Sequence, residues 1–148
     1  MPSIADPRAL DRLLRRLDGL TPGTPRRWGT LTAHEMLCHL ADACAGILAR
    51  PGGPAAPPRL LRRWLALHTP MPWPRGLPTP SRVDPHKGGT RPDDFERDRA
   101  RALAGLRALA AAPDAAFPAT HAAFGGMRAV DWRCWGYRHT DHHLRQFG

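Results

Sequence analysis

The apolar residues of this chain recur at steps of three and four within separate segments, and that periodicity constrains its fold more than any other feature. In residues 6–20 the repeating apolar positions are Leu10, Leu13, Leu14 and Leu17. In residues 32–48 they are Leu37, Leu40, Ala41, Cys44, Ile47 and Leu48. Such a stripe is typical of an amphipathic helix, and no segment shows the alternation expected of a strand. We therefore predict an all-α fold.

Local signals mark where these helices begin, and the pattern predicts two more main helices. Thr32 and Glu35 have the spacing of a capping box, in which each side chain binds an unpaired backbone amide at a helix start. A third main helix is predicted at about residues 92–112 and the last at residues 130–147, whereas residues 59–68 predict a short helix. Four main helices joined in this way predict one helical-bundle domain over residues 1–148.

The segment between the short helix and the third main helix has no periodicity. Residues 69–92 hold seven of the 17 prolines of the chain and three of its 14 glycines. A connection of this length in a compact domain is usually a lid, a binding loop or a disordered segment. The sequence alone does not distinguish these three alternatives.

Histidines on the predicted last helix are the strongest chemical signal. The stripe that begins with Trp132 and Trp135 continues with His139 and His143, so aromatic residues give way to imidazoles on one face. Two histidines four residues apart lie about 6 Å from each other along the helix axis and can bind one metal ion. His142 is about 100° away around the helix and is predicted to lie outside that pair.

A catalytic zinc site typically has three protein ligands, so a third residue is required from elsewhere. The second predicted helix offers His34 and His39. On a helical wheel His34 lies nearer the apolar stripe, and His39 lies well off its centre. The local pattern alone favours His34 and leaves both histidines open.

Two stretches resemble a known family. The C-terminal WRCWGYRHTDHHLRQFG, with HAAFGG at residues 121–126 before it, is similar to the C-terminal signature of one branch of the DinB/YfiT-like superfamily of metalloenzymes. LTAHEMLCHLAD, residues 31–42, resembles the first ligand-bearing helix of that superfamily. The resemblance covers both ends of the chain and most of its helices, whereas residues 51–90 match only loosely. No activity is assigned to that branch.

The resemblance implies a four-helix bundle of up-down-down-up order with a long Pro/Gly-rich crossover loop. It implies that His39, not His34, joins His139 and His143 as a three-histidine site for zinc or nickel. Three neutral imidazoles also suit iron or copper, so ligand type alone does not name the ion. We take zinc as the expected metal because of its availability.

The family pattern also directs attention to residues around the ligands. Asp42 and Gln146 each lie one turn after a predicted ligand and are candidates to orient its ring. His121 lies in a glycine-rich loop that can fold over the site or simply form a turn. Where relatives place Ser or Thr as the N-cap of the last helix, this chain has residues 127–129, Met-Arg-Ala, so the start of that helix is expected to be less well fixed.

Three functions are consistent with these signals. The first is a metal-dependent enzyme acting on an unidentified small molecule, in the manner of relatives that catalyse thiol-dependent transfer or isomerisation, or of a hydrolase. The second is a non-catalytic metal-binding or stress-associated module, compatible with a homodimer. The third is nucleic-acid binding, suggested by the net charge of +9 and by the arginines Arg12, Arg15, Arg16, Arg26, Arg27, Arg62 and Arg63. We expect no specific nucleic-acid site. The arginines accompany abundant Ala, Pro and Gly, which is the usage expected of a GC-rich coding sequence, so the positive charge alone does not indicate nucleic-acid binding.

Other classes of chemistry and location are disfavoured. The chain has no apolar segment typical of a signal peptide or a membrane span, and its three cysteines form no Cys-x-x-Cys pair, so a cytoplasmic protein with reduced thiols is expected. Ser3 and Ser81 are the only serines, which disfavours a serine hydrolase. No glycine-rich phosphate loop is present in the sequence.

Overall fold

The computed structural model describes residues 1–54 and 56–148. Five α-helices dominate: α1 (Pro7–Asp18), α2 (Ala33–Leu48), α3 (Leu60–His68), α4 (Phe95–Ala111) and α5 (Ala129–Leu144). Two short 3₁₀ helices (Ser81–Val83 and Asp114–Ala116) and a small hairpin of β1 (Thr120–His121) and β2 (Gly125–Gly126) complete the described elements. The predicted all-α class is thus confirmed at the level of a mostly helical protein, with helices in each of the five predicted segments.

Side-chain hydrogen bonds explain where α2 and α5 begin. At α2 the predicted capping box forms: the Glu35 amide donates to the Thr32 hydroxyl at 3.2 Å, and the Thr32 amide donates to the Glu35 carboxylate at 2.8 Å. At α5 the Arg128 amide donates to the Asp131 carboxylate at 3.0 Å. This buried acid fixes the start of α5 without the Ser or Thr that the family pattern would place there.

The core lies where α2 packs against α4, with α1 contacting both α4 and α5. Its most completely buried apolar side chains are those of Ile4, Leu13, Leu17, Met36, Leu37, Leu67, Leu106 and Leu109. From residue 36 to residue 44, only Asp42 of α2 is not buried, so neighbouring elements cover this helix on more than one side. None of the helices in the described residues combines the length and hydropathy that crossing a bilayer requires.

The hairpin corrects the expectation that the chain forms no strands. β1 and β2 pair antiparallel, Thr120 opposite Gly126 and His121 opposite Gly125, over only two residues each. Gly125 has a φ of 66°, and a Cβ at this position would collide with the carbonyl oxygen of Pro57. So short a hairpin carries too little alternation to be recognised in a sequence.

Candidate metal centre

Three histidines from two helices converge at one point. His39 of α2 and both His139 and His143 of α5 offer ligand atoms that all lie within 4.8 Å of one another. The Nε2 atoms of His39 and His139 are 3.2 Å apart. The His143 ring centroid is 4.6 Å from that of His39 and 4.7 Å from that of His139. We call these residues the histidine triad.

The ring of His39 is oriented by a backbone carbonyl. Its Nδ1 lies 2.8 Å from the carbonyl oxygen of Val83 and donates a hydrogen bond to it, which leaves Nε2 as the ring atom that faces the triad. Asp42, a candidate for this role, instead accepts hydrogen bonds from the Thr90 amide at 2.6 Å and the Thr90 hydroxyl at 2.8 Å. That candidate role for Asp42 is therefore wrong, because Val83 holds Nδ1 of His39 and the Asp42 carboxylate is engaged by residue 90 instead.

These contacts give residues 69–92 a structural part in the site. Val83 and Asp84 are buried, and Val83 supplies the carbonyl that holds the His39 ring. Asp42 ties the far end of the same segment to α2 through Thr90. The second half of residues 69–92 therefore packs against the histidine triad and forms part of the wall of the site.

The ring of His143 is held by Gln146, as the one-turn spacing predicts. The Gln146 side-chain amide lies 3.2 Å from Nδ1 of His143, and Gln146 is buried. Its Oε1 is a buried polar atom without a hydrogen-bond partner among the described residues. A half-turn of the amide places Oε1 at Nδ1 of His143, where it accepts a hydrogen bond from the ring N–H and leaves Nε2 of His143 with a free lone pair.

Replacing Gln146 by leucine is expected to weaken zinc binding by about 10- to 100-fold, because partners of this kind orient a ligand ring and raise its basicity. Gln146→Glu keeps an acceptor oxygen at Nδ1 and is expected to hold affinity near that of the natural protein. Competition with a chromophoric chelator measures both. Equal affinities of the leucine and glutamate variants would show that the contact does not serve the ring.

The third ring, that of His139, is positioned by stacking. It lies parallel to Trp135 of the preceding turn, with ring centroids 4.2 Å apart and an interplanar angle of 14°. His139 is partly exposed, whereas His39 and His143 are buried. The triad is thus closed on the α2 side and reaches the surface beside His139.

Burial keeps the triad neutral. It lowers the pKa of His39, and together with the neighbouring histidines it holds the pKa values of His139 and His143 well below their ordinary value. A neutral imidazole is the form that binds a metal, since the protonated ring has no lone pair to offer. The donor set therefore fits a divalent ion that favours nitrogen, such as zinc.

His34, which the local pattern favours, is engaged elsewhere. Its Nε2 lies 2.9 Å from the carboxylate of Asp98, which also accepts from the Asp93 amide and from Arg101. With Cys38 these two residues form a second cluster of metal-binding side chains. Burial, and then Asp98, raises the pKa of the Cys38 thiol to about 12, so the sulfur stays protonated. We interpret this cluster as a hydrogen-bonded contact that joins α2 to α4.

Two further histidines lie near the triad without joining it. The ring of His142 is 5.3 Å from that of His143 but turns toward Trp28, at 5.1 Å, as its position around the helix predicts. His121 stacks on Phe124 at 4.6 Å, and its Nδ1 accepts a hydrogen bond from the Ala123 amide. Burial, and then nearby arginines, lowers the pKa of His121 to about 4. It behaves as a turn residue whose ring lies near those of Trp132 and Trp135 on α5.

Comparison with known proteins adds no further constraint on this centre. No protein-family model, no curated protein and no solved structure matches the chain. The resemblance to the DinB/YfiT-like superfamily therefore stays an expectation drawn from two sequence stretches. What the described residues establish is a mostly helical fold in which three buried or partly buried histidines can hold a divalent metal.

Proposed function

We propose that this chain binds one divalent metal ion, zinc by preference and nickel as the alternative, through His39, His139 and His143. The convergence of these three rings is the observation that carries the proposal. Two nitrogens bound to one tetrahedral zinc at its usual bond length lie about 3.3–3.4 Å apart. The Nε2 atoms of His39 and His139 are already at 3.2 Å, so an ion requires little rearrangement of these rings.

We further propose that the helices form a DinB-like four-helix bundle made of α1, α2, α4 and α5. The position of the ligands supports this: one histidine comes from the second helix and a pair four residues apart from the last, as in the sequence pattern of that superfamily. The contacts of α2 with α4, and of α1 with α4 and α5, are compatible with such a bundle. α3 and the segment after it then belong to the long crossover.

We propose an enzyme rather than a closed metal-binding module because the triad reaches the surface beside His139. A zinc ion held by His39, His139 and His143 would have fewer protein ligands than a closed structural site and would supply Lewis-acid chemistry to a bound substrate. The residues of this chain contribute orientation: Val83 and Gln146 hold two of the rings by their Nδ1 atoms. The substrate of this reaction is a small molecule that enters from the His139 side.

Metal loading tests the proposal. The full chain without a histidine tag is stripped with a chelator, reloaded with zinc, freed of excess metal and analysed for its elemental content. We expect one zinc per chain in the natural protein and in His68→Ala, which removes a partly buried histidine outside the triad. A natural protein that retains less than half an ion per chain would contradict the proposal.

Cobalt(II) loading separates the enzyme from the closed module. A cobalt ion with an open position changes its visible spectrum when azide binds to it. We expect such a change in this protein. A spectrum that azide does not alter would contradict the enzyme and favour the non-catalytic module.

A further inference from the structure

A cleft of about 480 Å³ opens beside the histidine triad. It lies between residues 27–28, the loop at residues 72–75 and the C-terminal half of α5. We call it the Arg–Trp cleft, after the residues that matter to its chemistry: Arg27, Trp28, Trp73, Arg75, Arg138 and His142. Its volume lies within the range of about 300–1,000 Å³ that is usual for small-molecule sites.

The charge of the Arg–Trp cleft is strongly positive. Asp141 is the one carboxylate on its wall, and it is already paired with Arg16 and with Arg145, each at 2.7 Å. Arg27, Arg75 and Arg138 have no carboxylate partner within the part of the chain that the structure describes. Three guanidinium groups without acidic partners around one concave site favour an anionic ligand.

Arg138 differs from the exposed Arg27 and Arg75 because its side chain is buried. It is buried on α5, where its Nε donates to the carbonyl of Ala66 at 3.1 Å and its Nη2 donates to the carbonyl of Met71. Burial lowers the pKa of its guanidinium from the ordinary value. Its hydrogen bonds go to neutral carbonyls, and the nearby Asp141 carboxylate is already paired with Arg16 and Arg145, so an anion in the cleft can offset positive charge that remains.

The remaining wall of the cleft is aromatic and leads to the triad. The ring of His142 lies between those of Trp28, at 5.1 Å, and Trp73, at 5.8 Å. The Trp73 ring is 6.3 Å from that of His139, so the cleft and the triad share this wall. Flat side chains of this kind favour a ligand that carries a ring.

We propose that the Arg–Trp cleft binds an organic anion, a carboxylate or phosphate ester that carries a flat ring, and presents it to the metal centre. The anionic group faces Arg27 and Arg75, whose guanidinium lies over the Trp28 ring at 5.3 Å, and the ring of the ligand lies against Trp73. This proposal names the class of substrate on which the metal site would act, and it therefore rests on the proposed function. Binding of the anion itself does not require the metal, so the two can fail separately.

Calorimetric titration of the full chain, as purified and again after chelation, tests the proposal. The probes are phenyl phosphate, benzoate, inorganic phosphate and benzyl alcohol. We expect phenyl phosphate or benzoate to bind at least about tenfold more tightly than inorganic phosphate and benzyl alcohol, in both preparations. The better of the two ring-bearing probes identifies the anionic group. Inorganic phosphate binding as tightly as the better of the two ring-bearing probes would overturn the ring requirement and with it the proposal.

Variants locate the binding. Arg27→Gln with Arg75→Gln removes two exposed charges from the cleft and is expected to weaken binding of the preferred probe about tenfold. The matched control is Arg12→Gln with Arg107→Gln, which removes two exposed arginines of α1 and α4 outside the cleft and is expected to leave binding unchanged. An equal loss in variant and control would indicate general charge attraction and overturn the proposal. Binding that requires metal and survives the double substitution would place the anion on the ion instead, and would also overturn it.

Discussion

Replacing His143 by alanine is expected to weaken zinc binding by more than about 100-fold. This loss exceeds the loss of about 10- to 100-fold that is expected when a residue that only orients a ligand, such as Gln146, is replaced. His143 is the buried member of the α5 pair, and its ring lies within 5 Å of both other rings of the triad by centroid distance, at 4.6 and 4.7 Å. Its removal leaves two ligands, which are too few for a tight zinc site of this class. Competition with a chelator of known affinity measures the change.

The adjacent residue provides the control. His142 lies on the same helix and turns toward Trp28 and Trp73, so His142→Ala is expected to leave zinc affinity nearly unchanged. His143→Gln retains most of the side-chain volume and separates loss of a ligand from loss of packing. Zinc at about 100 times the Kd of the natural protein is expected to stabilise that protein by about 2.7 kcal/mol and to stabilise either variant of His143 by less than about 0.4 kcal/mol. Equal zinc affinities of His142→Ala and His143→Ala would contradict the assignment.

The second large effect is expected at Asp131, where alanine should lower the free energy of unfolding by about 3 kcal/mol. Asp131 is 1% exposed and accepts from the Arg128 amide at 3.0 Å, with His68 at 3.2 Å and Arg63 at 3.4 Å. Burial by itself raises the pKa of this carboxyl, but the hydrogen bonds from the Arg128 amide and His68 outweigh it and lower the pKa. Alanine leaves the half-buried Arg63 without its acid and the start of α5 without its cap.

Asp114 is the matched control for Asp131. It also pairs with an arginine, Arg133, at 2.8 Å, but its side chain is 79% exposed. Solvent screens such a pair, so Asp114→Ala is expected to change stability by less than about 0.5 kcal/mol. Urea unfolding in the presence of chelator measures both without a contribution from bound metal. Similar losses in the two variants would show that burial of Asp131 does not set its contribution.

The helices could be predicted from the sequence because their signals are local. The Thr32 and Glu35 spacing predicts the start of α2, and the hydroxyl and carboxylate do cap it. The four-residue spacing of His139 and His143 predicts that both rings lie on one face of α5, as they do. Each of these inferences depends on residues within one turn of each other.

The local sequence pattern cannot identify His39 rather than His34 as the third ligand. A helical wheel assumes one buried face, but α2 is buried on more than one side. Its apolar stripe packs against α4, where His34 meets Asp98, whereas His39 turns toward α5. Resemblance to other sequences selects His39, and the physical reason emerges only when the packing around α2 is known.

Contacts between segments that are distant in the chain could not be predicted from the sequence either. The carbonyl of Val83 that orients His39 comes from a segment without periodicity, 44 residues farther along the chain. The cap of α5 by Asp131 replaces a residue type that the family pattern leads one to expect. The Arg–Trp cleft combines three segments that are separated by tens of residues, and its charge becomes visible only when they are brought together.

X-ray absorption by the zinc-loaded protein reports the atoms bound to the ion and their distances, and it therefore shows whether the histidine triad holds the zinc. We expect nitrogen neighbours at about 2.0–2.1 Å with the outer-shell scattering of three imidazole rings. The same measurement on His143→Gln is expected to show fewer imidazoles or no bound zinc. A spectrum dominated by sulfur, or one with carboxylate oxygen and no imidazole scattering, would place zinc outside the histidine triad and contradict the account.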